Sequence, residues 1–358
     1  EPFATVALDD LAILQYTGGT TGPSKGAMLS HRNLLASAVQ ATSALEQDDE
    51  DEIIIAPMPL YHIYGFTWNL VSNVLTGSRS VLIPNPRDIT GLLTTMRGLR
   101  FTSFAGVNTL FAGLMAHPDF DSIDFSRLKG SIAGGAALVS SIADEWQRRT
   151  GSNIFEGYGL SETAASLSCN TPHNNQLGTV GKAFVGTELK VVDDQGRELA
   201  TGQSGELLVR GPQVLSGYWN RPDIDAIDSE GWFRTGDIAI MQADGYIKIV
   251  DRIKDMILVS GFNVYPNEVE DVLTSHPGVF ECAAVAVPDE RTGEAVKVFV
   301  VRCSSELTEE ALRDFSRENL AAYKVPKHIV FVKDLPKSAV GKVLRRELRD
   351  GTAAAHNS

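Results

Sequence analysis

The sequence predicts an α/β protein that has a large domain with a parallel-rich sheet between helical layers, a small antiparallel β subdomain and a small α+β domain at the C-terminal end. Strand–loop–helix units repeat up to about residue 163, as in a parallel sheet with helices on both faces. Short alternating strands follow over about 178–250, and helices alternate with strands beyond residue 251. We therefore predict a large domain over 1–250, a second domain over 251–350 and a disordered tail over 351–358.

Hydrophobic patterns predict the elements of the large domain. LAILQY (11–16) is an apolar run of strand type, and Ser30 fits the N-cap of a helix whose apolar residues share one face. Further along, residues 53–60 form an apolar run. We predict a buried helix at 66–76, a strand at 80–85, a strand, turn and helix at 101–115, and repeated strand–loop–helix structure over 131–138, 140–150 and 153–163.

The second half of the chain has shorter elements. TELKVVDD, GELLVRG, DIAIM and GYIKIVD are predicted strands of the β subdomain, separated by turns such as 194–196 and 243–245. In the second domain, Pro266 opens a helix at 266–275, and Thr308 fits the N-cap of a helix at 308–320. Strands are predicted at 279–288, 295–303 and 328–333.

Composition and charge exclude several classes of protein. The 358 residues are 43% hydrophobic and 22% charged, which is ordinary for a globular protein, and the net charge of −13 argues against a nucleic-acid surface. Cys169, Cys282 and Cys303 are too widely spaced for a disulfide framework or a metal knuckle, so we expect a reducing, cytoplasmic compartment. We find no signal peptide and no apolar run of the ~20 residues that span a bilayer.

The most informative segment is YTGGTTGPSKGAMLSH (16–31), a loop between a strand and a helix. Its glycines let backbone N–H groups approach an oxygen-rich ligand, its threonines add hydroxyl donors, and Lys25 adds a mobile positive charge. A Walker A loop would have Ser or Thr after the lysine, whereas Gly26 follows Lys25. A flexible linker is the alternative, but linkers do not usually interleave Thr, Gly and Lys. The predicted phosphate-binding residues are Thr17, Gly18, Gly19, Thr20, Thr21, Gly22 and Lys25.

The segment GYGLSET (157–163) forms a strand-to-helix corner, and ligands bind at such corners of a parallel sheet. The ring of Tyr158 suits stacking on a purine, and the carboxylate of Glu162 suits Mg²⁺, which prefers oxygen ligands and bridges phosphates. A Gly-flanked turn with a capping Glu is the structural alternative.

The loop at 16–31 resembles the phosphate loop of the adenylate-forming (ANL) acyl-CoA synthetases, and its Gly-Gly-Thr-Thr-Gly variant resembles that of bacterial long-chain fatty-acid–CoA ligases. The resemblance extends to about residue 350 and includes PLYHIYG, GVNTLF and DMILVSGFNVYPNEVEDV. It implies ATP and coenzyme A as co-substrates, Mg²⁺ as cofactor and a mobile C-terminal lid over 251–350. In this family a substantial segment precedes the loop, so we expect the chain to be N-terminally truncated.

The resemblance gives the corner a nucleotide-binding role, in which Tyr158 packs on adenine and Glu162 coordinates Mg²⁺. It also implies that the loop after residue 133 lines adenine and the start of an acyl pocket, although a tight turn is an alternative there. The further residues implied to contact the nucleotide in these two segments are Gly134, Gly135, Ala136, Gly157, Gly159 and Thr163.

Two segments near the domain boundary carry charged candidates. A carboxylate such as Asp237, in WFRTGD, suits the two vicinal hydroxyls of ribose, and the resemblance assigns it that contact. The resemblance makes Arg252 a second ribose or phosphate contact and Asp251 the hinge, a role that we expect a solvated Asp to tolerate. The alternatives are an Asp that caps a turn and a solvated charged turn at 251–255.

Three further residues complete the candidate site. The resemblance assigns the Gly261 loop to the pantetheine channel and Lys342 to the catalytic lysine, whose charge would stabilise the adenylation transition state. A plain strand turn and a basic surface run are the alternatives. His62, in PLYHIYG, is implied to gate or position the acyl carboxylate rather than to transfer a proton, and the alternative is an ordinary packed or surface His.

The predicted activity is that of a long-chain fatty-acid–CoA ligase, which forms an acyl-adenylate from ATP and then acyl-CoA, with release of pyrophosphate and AMP. Two alternatives stay open: an adenylate-forming ligase for another carboxylic acid, such as an aryl or medium-chain acid, and a nucleotide-binding fragment inactive through truncation. The expected partners are small-molecule substrates and no nucleic acid. Because fatty acids partition into membranes, loose peripheral association with the inner face of the membrane is a reasonable expectation, and the oligomeric state stays open.

Overall fold

The computed structural model describes residues 5–17, 24–46, 51–338 and 341–351. The chain divides into two compact units, Glu1–Thr235 with Ile240–Ile249, and Gly236–Ala239 with Val250–Ser358. Each unit has its own core of buried apolar side chains. Within the described ranges, no helix combines the length and the apolar character that crossing a bilayer requires.

A β-hairpin and a helix open the first unit. Strand β1 (Leu11–Thr17) pairs antiparallel with β2 (Lys25–Ser30), and helix α1 (His31–Ala44) follows directly. Ser30 is the N-cap, as predicted: its Oγ accepts a hydrogen bond from Asn33 N at 3.2 Å. The sequence did not predict β2, because 16–31 was interpreted as one loop. Ala27 and Leu29 are fully buried and alternate along β2, which is the period of a strand.

A seven-stranded sheet forms the centre of the first unit, in the order β4-β3-β5-β6-β7-β8-β9. The pairs from β4 to β7 are parallel, and β8 and β9 add antiparallel, so the predicted parallel-rich sheet is confirmed. Its strands are β3 (Ile53–Ala56), β4 (Arg79–Leu82), β5 (Ser103–Gly106), β6 (Gly130–Ala133), β7 (Ile154–Tyr158), β8 (Ser168–Cys169) and β9 (Lys182–Ala183).

Helices of the first unit pack against this sheet around a group of aromatic rings. Trp146 is fully buried, stacks on Phe104 at 5.8 Å between ring centroids and meets Phe111 edge-on at 4.9 Å. The helices of this region are α2 (Ile63–Phe66), α3 (Ser72–Thr76), α4 (Ile89–Arg97), α5 (Asn108–Ala116) and α6 (Ser140–Thr150), with short 3₁₀ turns at Phe120–Ser122 and Ser161–Thr163.

The helix predicted at 66–76 is present but only partly buried. A π-helical turn, Thr67–Val71, connects α2 to α3. Val74 is 75% exposed, while the polar residues Asn69 and Ser72 are buried. The polar residues of this segment share one side of the helix, and that side is the buried one. The usual expectation that the apolar side faces the core therefore points the wrong way here.

An antiparallel sheet in the order β10-β11-β12-β13 confirms the predicted β subdomain. Its strands are β10 (Glu188–Val192), β11 (Ser204–Arg210), β12 (Phe233–Met241) and β13 (Ile247–Arg252). Asp237 on β12, and Asp251 and Arg252 on β13, belong to the second compact unit.

The second unit contains a five-stranded sheet in the order β15-β14-β17-β16, with β18 parallel to β17. Helix α7 begins at Pro266, and Thr308 caps α8 by accepting from Ala311 N, both as predicted. The strands are β14 (Ile257–Val259), β15 (Phe262–Val264), β16 (Val279–Asp289), β17 (Gly293–Arg302) and β18 (His328–Phe331); the helices are α7 (Pro266–Thr274), α8 (Glu309–Asn319) and α9 (Arg345–Arg349), with 3₁₀ turns at Ile253–Asp255 and Ala322–Lys324.

Candidate active site

The two ends of the predicted phosphate loop lie side by side. Thr17, at the end of β1, pairs with Lys25, at the start of β2, and Thr17 Oγ1 donates to Lys25 O at 3.4 Å. The hairpin therefore holds the loop at a fixed base. The predicted contacts Gly18, Gly19, Thr20, Thr21 and Gly22 lie outside the described residues.

Tyr218 connects this hairpin to the predicted magnesium ligand. Backbone hydrogen bonds hold the segment of Tyr218 against β2, since Trp219 N donates to Gly26 O at 2.8 Å. The Tyr218 hydroxyl donates to Glu162 Oε1 at 2.9 Å, and Lys25 Nζ lies 5.2 Å from the centroid of the Tyr218 ring. The ring therefore brings the loop lysine and Glu162 to one place.

Burial and the neighbouring carboxylate keep Tyr218 protonated. Burial, followed by the charge of Glu162, raises the pKa of Tyr218 above its usual value, so the phenol stays a donor to Glu162. Sequence reasoning missed Tyr218. The separation of 56 positions along the chain from Glu162 leaves no local signal for this contact.

The corner that carries Glu162 is held by a side-chain hydrogen bond and by a close approach of its backbone. Thr163 is fully buried, and its Oγ1 accepts from Leu160 N at 2.9 Å. A Cβ at Gly159 would lie 1.8 Å from Ala165 O, so this glycine is required by a close backbone approach. Ala165 itself has φ of 85°, the left-handed region that costs a residue with a side chain.

A glycine from another segment, the loop after β6, lies next to this corner in the first unit. A Cβ at Gly134 would lie 3.5 Å from Gly157 O and 3.6 Å from the Tyr64 ring. The Tyr64 hydroxyl donates to Ile132 O at 3.1 Å, and Tyr64 N donates to His62 Nδ1 at 3.2 Å. The structure therefore brings His62, Gly134 and Gly157 together through Tyr64.

The loop after β6 is anchored on both sides. Leu138 N donates to Glu156 Oε1 at 3.1 Å, and Asn108 Nδ2 donates to Ala137 O at 2.7 Å. Gly135 and Ala136 are exposed at the bend, and Gly135 has φ of +84°, which favours glycine. Tyr158, at the end of β7, is partly buried.

In the second unit, three of the predicted residues form one charged group. Arg252 Nε lies 3.1 Å from Asp237 Oδ1, and the Asp237 side chain is 3% exposed. Burial, followed by the positive charge of Arg252, lowers the pKa of Lys342 to about 8, while Asp237 opposes this. Lys342 N also donates to Ser338 Oγ at 3.2 Å, which closes the turn that carries the lysine.

The predicted hinge residue Asp251 is buried, with 1% of its surface exposed, so the expectation of a solvated hinge Asp was wrong. Its Oδ1 accepts from Arg252 N at 2.7 Å and its Oδ2 from Asn267 N at 2.8 Å. Burial raises the pKa of Asp251. Asn267 lies in the first turn of α7, where N–H groups lack helical partners, and this gives the carboxylate a structural reason to be buried.

Gly261 lies at the tip of the β14–β15 hairpin. Ser260 and Gly261 have φ of 51° and 84°, which is the conformation of a tight hairpin turn between strands paired from Val259 to Phe262. A Cβ at Gly261 would meet no described atom within 4 Å. The turn conformation alone therefore accounts for this glycine in the structure.

Glu162 fits a magnesium site of the kind that is completed by substrate phosphates. Among the residues that the structure describes, no three His, Cys, Asp or Glu side chains are grouped as ligands for a metal. Mg²⁺ is commonly held by one or two carboxylates plus phosphate oxygens, and Glu162 with the nearby Tyr218 hydroxyl supplies oxygen atoms only.

The chain is similar to curated long-chain-fatty-acid–CoA ligases. It is 51% identical over 350 residues to that of Salmonella typhimurium, covering 96% of this chain and 62% of the relative. It is 38% identical to that of Bacillus subtilis, covering 97% of this chain and 63% of the relative. The chain thus spans less than two thirds of the length of these relatives.

Solved structures give the same family likeness. The ATP-bound MatB of Rhodopseudomonas palustris has a TM-score of 0.89 at 34% identity, covering 99% of this chain and 71% of that one. The anthranilate CoA ligase AuaEII in complex with anthranoyl-AMP has a TM-score of 0.89 at 32% identity, covering 98% and 70%. The family description "AMP-binding enzyme" matches residues 1–219, and "AMP-binding enzyme C-terminal domain" matches residues 268–342. The chain belongs to the AMP-binding enzyme family.

Proposed function

We propose that the protein is a long-chain fatty-acid–CoA ligase that works through an acyl-adenylate. The carboxylate of the fatty acid attacks the α-phosphorus of ATP, and pyrophosphate leaves. The thiol of coenzyme A then attacks the acyl carbon, and AMP leaves. The relatives named for this activity, at 51% identity over 96% of the chain, support the substrate class.

The observation that carries the proposal is the contact of Lys25, Tyr218 and Glu162. Lys25 supplies a positive charge at the base of the phosphate loop, and Glu162 supplies a carboxylate fixed by the Tyr218 hydroxyl. Glu162 would hold Mg²⁺, which when bound neutralises phosphate charge. This arrangement suits ATP, because the positive charge of Lys25 would face the phosphates and the negative charge of Glu162 would face the Mg²⁺ bound to them.

The other residues position the reacting groups. Tyr158 would stack on adenine beside the exposed bend at Gly135 and Ala136, and Asp237 with Arg252 would bind the ribose. Lys342 would place its ammonium between the acyl carboxylate and the α-phosphate and stabilise the charge that develops there. His62, fixed by Tyr64 N, would position the carboxylate end of the fatty acid. Asp251 would be the hinge about which the lid exchanges Lys342 for the Gly261 turn, which would admit coenzyme A.

A second candidate is an adenylate-forming ligase for an aryl acid. The chain is 36% identical over 352 residues to a feruloyl-CoA synthase of an Amycolatopsis species, and it covers 71% of that relative. A pyrophosphate-release assay with a panel of long-chain, medium-chain and aryl acids separates the two. We expect palmitate-length acids to react fastest, and faster release with aryl acids would favour the second candidate.

The role of Lys342 has its own test. We expect Lys342→Ala to suppress pyrophosphate release far more than it suppresses the transfer of a supplied acyl-adenylate to coenzyme A. An equal loss in the two half-reactions would contradict this role. Nucleotide binding by the wild-type protein without any acid-dependent release would instead indicate a binding fragment. Because the substrate is a lipid, we also propose peripheral contact with membranes, which co-sedimentation with liposomes tests.

A further inference from the structure

An ion-pair network around Arg345 joins three elements of the second unit. Arg345 Nη2 donates to Glu270 Oε2 at 2.7 Å, and Arg345 Nε donates to Glu270 Oε1 at 3.2 Å, which is the two-pronged geometry of a guanidinium on a carboxylate. Both side chains are only 17% exposed. Arg345 Nη1 also lies 4.0 Å from Asp255 Oδ2, in the turn after β13. We call Arg345, Glu270 and Asp255 the Arg345 clamp.

Glu270 is a fixed partner for Arg345. Its Oε1 also accepts from Ala284 N of β16 at 2.7 Å, so α7 and β16 together hold the carboxylate. A pair buried to this degree costs desolvation, and such pairs are often no more stabilising than apolar side chains of similar size. A gain in stability therefore does not explain the clamp, and we consider instead which other residues its geometry connects.

The clamp connects the hinge residue to the catalytic lysine. Asn267 N donates to Asp251, and Asn267 Oδ1 accepts from Arg345 Nη2 at 2.9 Å. Arg345 follows Lys342 by three residues, a length of chain that spans at most about 10 Å. The position of Arg345 therefore limits where the backbone of Lys342 lies.

The other end of the lysine turn is anchored as well. Lys337 pairs with Val343 in a single antiparallel bridge, and Lys337 Nζ donates to Glu281 Oε1 at 2.7 Å. The turn that carries Lys342 thus has an ion pair at each end. Among the described residues, Asn267 links the Arg345 end of this turn to the hinge residue Asp251.

The clamp also contributes to the charge around Lys342. Burial and then the charge of Arg252 are the largest causes that lower the pKa of that lysine. Asp237 raises it, and Arg345 and Lys254 lower it further. Loss of the Arg345 charge alone is therefore expected to raise the pKa of Lys342.

We propose that Arg345 is a positioning residue for adenylation: held by Glu270 and Asp255, it fixes the Lys342 turn to the hinge residue Asp251, so that the lysine and the hinge move as one body. This rests on the proposed function, because Lys342 has a catalytic role only there. The described hydrogen bonds and ion pairs of Arg345 go to Glu270, Asn267 and Asp255, so its proposed effect on adenylation is indirect.

The test uses the full chain and four variants. Arg345→Gln removes the charge and the fork, and Arg345→Lys keeps the charge but loses one prong. Glu270→Met/Arg345→Met replaces the pair by apolar side chains, so that the fold is kept without a buried unpaired charge. The matched control is Arg346→Gln, since Arg346 is the next residue of α9 and its ion pair with Asp350 is exposed.

The first measurement does not depend on activity. Competitive labelling of amines with acetic anhydride across a pH series, read by mass spectrometry at Lys342, gives the pH midpoint of that lysine. We expect a midpoint near 8 in the wild type and in Arg346→Gln, a higher midpoint in Arg345→Gln, and a smaller rise in Arg345→Lys.

The second measurement compares the two half-reactions. In Arg345→Gln and in the double Met variant, we expect the kcat of adenylation to fall by about 10- to 100-fold, with the KM for ATP and the thiolation of a supplied acyl-adenylate within about twofold. Arg345→Lys should recover part of the loss. A folded double Met variant that adenylates like the wild type would overturn the proposal, as would equal losses in both half-reactions.

The two proposals fail in different ways. If the wild type shows no adenylation, the proposed function fails. The labelling midpoints then test by themselves whether Arg345 acts on Lys342. An unchanged Lys342 midpoint in Arg345→Gln, in protein that unfolds at the wild-type temperature, would contradict the clamp even if the wild type is fully active.

Discussion

A methyl group at position 159 has no room in the corner that carries Glu162. In Gly159→Ala, the new Cβ would lie 1.8 Å from Ala165 O and 2.3 Å from its carbonyl carbon. The distance between the new Cβ and Ala165 O must increase by roughly 1 Å before it reaches the shortest separation that Cβ atoms ordinarily show. Both opposing atoms of Ala165 belong to the backbone, so no side-chain rotation can relieve the clash. The backbone of the corner has to move.

The expected cost follows from the rigidity of this corner. Overpacking of a well-packed site costs about 1–3 kcal/mol, and we expect the upper part of this range because Ala165 is already in the left-handed region. A shift of this size also displaces Glu162, which lies three residues from both Gly159 and Ala165 in the same turn. We therefore expect the affinity for Mg·ATP to fall by about tenfold or more.

Gly98→Ala is the matched control for this substitution. Gly98 ends α4 with φ of −89°, and a Cβ there would meet no described atom within 4 Å. The same chemical change at this site should alter the free energy of unfolding by less than about 0.5 kcal/mol.

Urea unfolding followed by tryptophan fluorescence measures the effect in the relevant part of the chain. All four tryptophans (Trp68, Trp146, Trp219, Trp232) belong to the first unit. Calorimetric titration with Mg·ATP then gives the affinity. Equal unfolding free energies for the two alanine variants would refute the steric reasoning, and a destabilised Gly159→Ala with wild-type affinity would separate the corner from nucleotide binding.

Three further predictions concern single side chains. Tyr218→Phe removes the hydrogen bond to the Glu162 carboxylate, a kind of bond worth about 1.5–3 kcal/mol, and should weaken Mg·ATP binding by about tenfold. Unchanged affinity in a calorimetric titration would show that Glu162 does not need this donor. Because the pKa of Lys342 is lowered to about 8, its charged form is lost as pH rises through this value, and kcat/KM for ATP in adenylation should fall above about pH 8. The fall should be absent in Lys342→Arg, and the same pH profile in both proteins would assign the fall to another group. Gly261→Ala should cost about 1 kcal/mol in unfolding free energy because φ is +84°, and Gly261→Asn should cost less; equal costs would argue against backbone strain as the cause.

The sequence predicted the features that depend on neighbouring residues. The parallel-rich sheet, the antiparallel subdomain, the caps at Ser30 and Thr308 and the start of α7 at Pro266 all follow from periodicity and from the residue types at helix ends. These signals depend on a few neighbouring residues, so they can be read without knowing which distant parts of the chain come into contact.

Features that depend on distant partners were not predicted. The hydrogen bond from Tyr218 to Glu162 spans 56 residues, and that from Arg345 to Glu270 spans 75. Strand β2 was missed because its glycine and lysine suggested a loop, and only pairing with β1 makes it a strand. The burial of Asp251 was missed because its buried partner, the N–H of Asn267, is a backbone group that no sequence pattern marks.

A single-turnover experiment tests acyl-adenylate formation most directly. Radiolabelled palmitate and Mg·ATP are mixed with excess protein without coenzyme A, the mixture is quenched, and palmitoyl-AMP is quantified before and after coenzyme A is added. We predict that palmitoyl-AMP accumulates on the wild type, is depleted in Lys342→Ala, and is converted to palmitoyl-CoA once the thiol is present. Binding of Mg·ATP by the protein without palmitoyl-AMP at any time point would contradict the proposal that the protein forms an acyl-adenylate.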